Sequence, residues 1–156
     1  MELLFKKFPN NVQLEEVLLK VTCLNDLYNT NVYATYEMAK HIFKLNIDSR
    51  LIAGDKSLVP EIAYLKHADR HFYSFATKYC NWHYQNKFPI YDQYVDKILW
   101  EYSKTYEFSS FKRKDLKEYG KFYVVINDFV KFFNLKTLTL KQVDKFLWLY
   151  GMQKFK

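Results

Sequence analysis

The sequence has few of the residues that interrupt regular structure or cross-link a chain. Its 156 residues include three glycines, three prolines and two cysteines. These counts exclude collagen-like and low-complexity chains, and two cysteines are too few for a fold held by disulfides. No run of about 18 apolar residues is present, so no segment is expected to cross a membrane. The first ten residues also lack an apolar leader, and we expect a cytoplasmic protein with reduced thiols.

The scarcity of glycine also excludes several kinds of site. The three glycines lie too far apart to form a P-loop, a dinucleotide-binding loop or a Ser nucleophile elbow. Two pairs of side chains, His67 with His71 and Cys80 with His83, have the spacing of one helix face but belong to no known zinc motif. We therefore expect neither a cofactor nor a metal.

Apolar and aromatic residues are abundant. They make up 49% and 20% of the chain, with 14 Phe, 14 Tyr and 3 Trp. The simpler interpretation is a bulky core in which many tyrosines are half-buried. The alternative is that a minority of the rings stack on nucleic acid bases.

The net charge of +7 is unevenly distributed. Residues 101–156 carry twelve Lys or Arg side chains and six Asp or Glu side chains, so that this third of the chain holds +6 of the total. A basic surface is typical of proteins that bind nucleic acid or another polyanion. A lysine-rich solvated surface with no such partner is the alternative.

Apolar residues recur every three or four positions along most of the chain, which predicts an all-α fold. We expect a single helical domain over residues 1–156, a bundle of about seven helices with no strand pairs. A capping box at Thr139 and Gln142 should open the last helix, and Gly151 should end it. The predicted elements are a helix over 14–24, a break at 29–31, a helix over 32–43, a polar connector over 46–55, a short helix from 57, a connector over 66–70, a helix over 72–83, a loop over 84–89, a helix over 90–100, a long helix opening at 109 or 110 and reaching 133, and a helix over 143–150.

Asp92 lies in the segment FPIYDQYV, where Pro89 precedes the start of a predicted helix. A carboxylate at that position can accept hydrogen bonds from the free amides of the first turn. A structural role as an N-cap is sufficient to explain the residue. The functional alternative is a carboxylate held at a helix start beside a cleft that faces DNA.

The same segment resembles part of a known superfamily. Residues 88–99, FPIYDQYVDKIL, resemble the segment of helix-hairpin-helix DNA glycosylases that carries their catalytic Asp, generally P-V-D-T-H-V-x-R-V. In this likeness Asp92 falls on that Asp, Pro89 on the Pro and Val95 on the Val, while Tyr94 replaces the His. Residues 72–82 resemble the helix after the family's hairpin, and residues 24–31 resemble its early helix junction. The chain is also similar to a group of uncharacterised bacterial proteins with Y-S-T-N, F-A-S/T-K-Y-C and P-I-Y-D segments.

The resemblance implies a DNA-glycosylase-like fold and an N-glycosylase in which Asp92 is the catalytic residue and the target base is flipped out of the duplex. The lysine of bifunctional members aligns near Ser74, and Lys78 lies about a turn too close to Asp92. We therefore expect a monofunctional enzyme without lyase activity. The region over 66–73 has no glycine, whereas the family's hairpin grips DNA through Gly-x-Gly, so this grip is expected to be missing or rebuilt.

DNA is the expected partner, with contacts from the helix junction, the helix after the hairpin and the basic C-terminal third. The candidate DNA-binding residues are Asn29, Asn31, Lys78, Lys112, Arg113, Lys114, Lys117 and Lys121. The alternative is a catalytically inactive helical module that binds a protein partner through exposed Tyr and Phe side chains.

Overall fold

The computed structural model describes all 156 residues, which divide into two units, Met1–Tyr84 and Gln85–Lys156. The predicted helical class is confirmed, with nine α-helices where about seven were expected. The single domain over 1–156 stays a prediction. The helices are α1 (Glu2–Lys7), α2 (Leu14–Tyr28), α3 (Thr35–Leu45), α4 (Asp48–Ala53), α5 (Leu58–Ala63), α6 (Tyr73–His83), α7 (Gln93–Tyr106), α8 (Tyr119–Phe132) and α9 (Leu140–Phe155); 3-10 turns cover Lys66–Ala68 and Arg113–Lys117, and two strands, β1 (Tyr64–Leu65) and β2 (Arg70–His71), pair between α5 and α6.

The core of the first unit forms where α2 packs on α3 and α5 packs on α6. Each helix contributes apolar residues at the spacing of one helical face, and these residues are fully buried. They include Val17, Val21, Leu24, Met38, Ile42, Ile62, Phe75 and Tyr79.

Two short helices of the first unit were not predicted. Helix α1 was not expected at all, and α4 lies inside the predicted polar connector over 46–55, which was therefore wrong. Ile47 and Leu51 are buried at the start and middle of α4, and Gly54 ends it in a left-handed conformation with φ of 70°. Within the six residues of α4 only Leu51 is buried, so no helical period stands out from this part of the sequence.

The connector predicted over 66–70 is part of a small antiparallel hairpin, so the expectation of no strand pairs was wrong. Tyr64 pairs with His71 and Leu65 pairs with Arg70. Asp69 takes the left-handed conformation with φ of 45°, which the short polar side chain of Asp tolerates better than most residues do. The Tyr64 hydroxyl donates a hydrogen bond to the Asp69 carboxylate at 3.1 Å. The hairpin thus turns without glycine.

In the second unit, α7 packs on α9, and α8 packs on the 3-10 turn that precedes it. The predicted boundaries of α7 and the predicted start of α8 were wrong. Helix α7 begins at residue 93 rather than 90 and continues to 106, and the long helix expected from Ser109 or Ser110 begins at 119. Leu116 lies in a separate 3-10 turn, and its side chain is buried. It therefore continues the apolar pattern of α8 although it is not part of that helix.

Gly151 lies inside α9, which continues to Phe155, so the prediction that it ends the helix was wrong. A Cβ atom on this glycine would lie 2.9 Å from both the Cβ atom and the carbonyl oxygen of Tyr94, and 3.1 Å from Ile98. The absence of a side chain therefore allows α9 to approach α7 closely.

None of the nine helices combines the length and the apolar character that crossing a bilayer requires.

Candidate functional site

Asp92 is the N-cap of α7, as the sequence predicts. Its backbone is extended, and its Oδ1 atom accepts hydrogen bonds from the amides of Tyr94 at 2.8 Å and Val95 at 3.0 Å. These two bonds satisfy amides that would otherwise have no partner in the first helical turn. Both bonds use the same oxygen of a half-buried side chain, so Oδ2 is left for another contact.

Two hydrogen bonds hold the backbone that leads to Asp92. The Tyr119 hydroxyl donates to the carbonyl oxygen of Pro89 at 3.0 Å, and the amide of Ile90 donates to Oδ2 of Asp144 at 3.2 Å. Phe88 is fully buried and stacks on the Tyr119 ring with 6.5 Å between centroids. Hydrogen bonds and ring packing thus hold the segment that leads to Asp92 in place.

Asp144, which was not among the residues predicted from the sequence, lies on α9 and is 7% exposed. Burial raises the pKa of its carboxyl, the hydrogen bond from the Ile90 amide lowers it and the charge of Asp92 raises it, and together these effects bring the pKa to about 8. Asp144 therefore carries a proton at neutral pH. An acidic residue three positions before the buried Leu147 on a helix is the signal that could have identified it.

A pocket of about 420 Å³, here called the basic pocket, lies within the second unit. Its cationic side chains come from two elements, helix α7 and the 3-10 turn Arg113–Lys117. Two of its other residues, Tyr91 and Gln93, lie directly before and after Asp92 in the sequence. The lining residues are Tyr91, Gln93, Asp96, Lys97, Arg113, Lys114 and Lys117. Three of the predicted DNA-binding residues, Arg113, Lys114 and Lys117, thus line one pocket, together with Lys97, which was not predicted.

Arg113 lines the basic pocket with a side chain that is about half-exposed, and a buried carboxylate orients its guanidinium group. Its Nε and Nη2 atoms donate to Oδ1 of Asp96 at 2.8 and 2.7 Å. Asp96 is only 6% exposed, and its Oδ2 accepts a hydrogen bond from the Tyr91 hydroxyl at 3.1 Å. Burial, together with the Asp96 charge, raises the pKa of Tyr91 well above its usual range, so its hydroxyl keeps the proton that it donates.

Two other predicted basic residues lie outside the pocket. Lys112 is exposed at the start of the 3-10 turn. Lys121 forms ion pairs with Asp115 and Glu118, both at 3.0 Å, and these hydrogen bonds raise the pKa of its ammonium group. Its charge is therefore partly compensated within the protein.

The other three predicted residues lie in the first unit. Asn29 and Asn31 are exposed after α2, and both take left-handed conformations, with φ of 48° and 59°. Lys78 is 5% exposed. Its ammonium group donates to the hydroxyl of Ser74 and lies 5.4 Å from the centre of the Tyr28 ring. The asparagines thus reach solvent, whereas Lys78 is held inside the unit.

The two residue pairs considered for a zinc site lie in different surroundings, one pair in the hairpin region and the other on α6. His67 lies in a 3-10 turn and His71 on a strand, so they do not share a helix face. His83 lies 3.3 Å from the Nδ2 atom of Asn11, and burial lowers the pKa of its ring to about 3. No three or more His, Cys, Asp or Glu side chains of the 156 residues come together in a way that could hold a metal ion.

Comparisons with known proteins identify a family but no activity. The family model HI_0787_N, described as an N-terminal domain, matches residues 1–87, and the match ends close to the boundary between the two units. A protein of Haemophilus influenzae strain Rd, named only as an uncharacterized protein, is 43% identical over 145 residues, which cover 91% of this chain and 69% of the relative. No solved structure matches the chain. The family model covers more than half of the chain and the relative is similar over most of it, so the chain belongs to the HI_0787_N family.

Proposed function

We propose that this protein binds DNA through the basic pocket and hydrolyses an N-glycosidic bond with Asp92 as the catalytic carboxylate. One observation carries the proposal: four cationic side chains converge on a pocket whose lining includes the residues immediately before and after Asp92. Cationic side chains that reach phosphates supply most of the affinity of proteins for nucleic acid.

The distribution of charge supports a polyanionic ligand. The second unit, residues 85–156, carries fourteen Lys or Arg side chains and eight Asp or Glu side chains, a balance of +6. The first unit carries ten and nine, a balance of +1. The excess therefore lies in the unit that contains both the basic pocket and Asp92.

The geometry of Asp92 suits the proposed chemistry. Because Oδ1 is engaged by the two helix amides, the carboxylate is fixed in orientation, and Oδ2 is available to face the sugar. A carboxylate there stabilises the oxocarbenium-like carbon as the C1′–N bond breaks and the base leaves with the bonding electrons. Water then adds to C1′ and gives up a proton, and the departing base takes up a proton. This is the monofunctional reaction, with water as the nucleophile.

The test measures binding and base release separately. Wild-type protein is titrated against a labelled undamaged duplex and against the same duplex with an abasic analogue, and tighter binding to the analogue is expected because no base has to be unstacked. Base release is then measured on duplexes with one deaminated, oxidised or alkylated base each. Asp92→Asn should keep the affinity and lose the release, since Asn is as good an N-cap as Asp. Equal release by wild type and Asp92→Asn would refute the catalytic role.

A second candidate function is a catalytically inactive module that binds a protein partner. It is favoured by several large aromatic side chains that are well exposed. They are Tyr33 at 80%, Phe132 at 53%, Tyr106 at 47% and Phe146 at 45%. Exposed rings of this kind are common at protein interfaces. The absence of binding to either duplex at low salt would favour this function over the first.

A further inference from the structure

We propose that the basic pocket binds a phosphate monoester, the group found at the 5′ end of a nucleic acid strand and on a free nucleotide, in preference to the phosphodiesters inside a strand. The strand-end form of this proposal rests on the DNA binding proposed above, and the free-nucleotide form does not. A monoester carries close to two negative charges at neutral pH and has three terminal oxygens that accept strong hydrogen bonds. A phosphodiester carries one charge and has two such oxygens.

The charge of the pocket suits the more highly charged group. Lys97, Lys114 and Lys117 form no ion pair within the protein, whereas Lys121, outside the pocket, has two. The single carboxylate of the lining, Asp96, is already bonded to Arg113 and Tyr91. The four cations therefore exceed the acidic lining by three charges in a space of about 420 Å³.

Arg113 is oriented before any ligand arrives. Asp96 engages one N–H on Nε and one on Nη2, which leaves the two N–H groups of Nη1 and the second of Nη2 for a ligand. The planar guanidinium group recognises two phosphate oxygens at once, and its position here is fixed by a carboxylate that is 6% exposed. In the proposed site Arg113 binds two of the terminal oxygens, and the lysines that line the same pocket are the candidates to bind the third.

The arrangement of the cations also distinguishes a terminal phosphate from a backbone. Along one DNA strand the charges recur at about 3.4 Å along the helix axis, and proteins that follow the backbone present cations in a row. Here the cations come from two elements and meet in one pocket of limited volume. Gln93 and Tyr91 add an amide and an aromatic ring to the wall, which a nucleoside attached to the phosphate could contact.

The experiment compares matched ligands that differ in one phosphate. Single-stranded 12-mers with a 5′-phosphate or a 5′-hydroxyl, and 2′-deoxyadenosine 5′-monophosphate with or without its phosphate, are titrated against the full chain by calorimetry at 100 mM salt. We expect at least tenfold tighter binding of the phosphorylated member in one of the two pairs, and the pair that shows it identifies the source of the monoester. No preference in either pair overturns the proposal.

Three variants locate the effect in the pocket. Arg113→Lys keeps the charge but loses the fork, and Lys131→Gln removes an exposed lysine outside the pocket as a control. Asp96→Asn adds one positive charge but releases Arg113, so a purely electrostatic site would bind monoesters more tightly, whereas an oriented site binds them more weakly. We expect Arg113→Lys and Asp96→Asn to reduce the preference at least fivefold and Lys131→Gln to leave it unchanged, with thermal unfolding confirming that each variant is folded. A preference that survives Arg113→Lys overturns the proposal.

The outcomes separate this inference from the proposed function. DNA binding without preference for a 5′-phosphate refutes the monoester site and leaves the DNA-binding proposal intact. Preference for the free nucleotide over its nucleoside, without binding of either 12-mer, supports the monoester site and refutes its strand-end form, while the duplex titrations decide DNA binding separately.

Discussion

At the scale of single residues, a buried polar network holds the segment that joins α1 to α2. The Asn11 side chain donates to Asp48 at 2.6 Å and accepts hydrogen bonds from Lys20 at 2.8 Å and from Tyr79 at 2.6 Å. Lys20 is fully buried and also donates to the carbonyl oxygens of Phe8 and Asn10. Burial lowers the pKa of Lys20 to about 8. This network places a charge in the core that no apolar pattern in the sequence could have indicated.

His83 belongs to the same network and should make the stability of the protein depend on pH. Burial, together with the nearby charge of Lys20, lowers the pKa of its ring from 6.5 to about 3. Between these values the unfolded chain binds a proton that the folded chain does not, so stability falls as the pH drops below about 6.5. We expect the stability advantage of wild type over His83→Gln to shrink by up to about 1.4 kcal/mol per pH unit from pH 6.5 to 4. Urea unfolding of both proteins measures this, and parallel profiles would contradict it.

Asp144 should show the opposite dependence. Its pKa is raised from 3.8 to about 8, so the folded chain keeps a proton that the unfolded chain has lost between these values, and stability falls as the pH rises through this range. Asp144→Asn removes the titrating group while keeping an oxygen that can accept from the Ile90 amide. We expect the variant to gain stability relative to wild type by up to about 1.4 kcal/mol per pH unit between pH 4 and 8. Urea unfolding across this range tests it, and a constant difference would show that Asp144 ionises as it does in water.

The capping role of Asp92 can be measured apart from any activity. Asp92→Ala removes the acceptor of two amide hydrogen bonds and should lower the free energy of unfolding by about 1 kcal/mol, whereas Asp92→Asn should change it by only a few tenths. Chemical denaturation of the two variants provides the comparison. Equal stability of Asp92→Ala and wild type would mean that the cap contributes nothing to α7.

At the scale of elements, the long helices and the short helix α5 were predicted from the sequence, whereas α1, α4 and the hairpin were not. The apolar period identified α2, α3, α6, α7 and α8, and the capping box identified α9, since Thr139 accepts from the Gln142 amide at 3.3 Å and Gln142 accepts from the Thr139 amide at 2.8 Å. Helices α1 and α4 and the hairpin are too short to show a period. Asp92 was identifiable because its cap is a local feature, whereas the pairing of Asp96 with Arg113 joins residues 17 positions apart.

The close packing of α7 and α9 depends on one glycine. Gly151→Ala would place a Cβ atom 2.9 Å from the backbone oxygen and the Cβ atom of Tyr94, neither of which can move freely. This clash should outweigh the higher helix propensity of Ala and destabilise the protein by about 1–3 kcal/mol. Thermal and chemical unfolding measure the change.

Gly120 provides the matched control within the same unit. A Cβ atom there meets nothing within 4 Å, and the residue lies in α8. Gly120→Ala should therefore stabilise the protein by up to about 1 kcal/mol. If both substitutions stabilised it, the packing argument for Gly151 would be wrong.

At the scale of the whole molecule, the family-model match and the excess positive charge lie in different parts of the chain. The HI_0787_N match covers residues 1–87, while the excess positive charge and the basic pocket lie beyond it. The uneven charge was visible in the sequence, and it directed attention to Arg113, Lys114 and Lys117. The sequence could not show that Lys97 lines the same pocket or that Lys121 forms ion pairs with Asp115 and Glu118, because both facts depend on how the elements pack.

The most direct test of the central claim is the salt dependence of duplex DNA binding. Wild type is compared with Lys114→Gln/Lys117→Gln, which removes two cations of the basic pocket, and with Lys131→Gln/Lys136→Gln, which removes two exposed lysines elsewhere in the second unit. Each phosphate contact contributes about 0.9 to the slope of log K against log salt concentration, so the pocket variant should lower the magnitude of the slope by about 2. The control variant should leave the slope close to that of wild type. Equal effects of the two variants, or a wild-type affinity that does not depend on salt, would contradict the account.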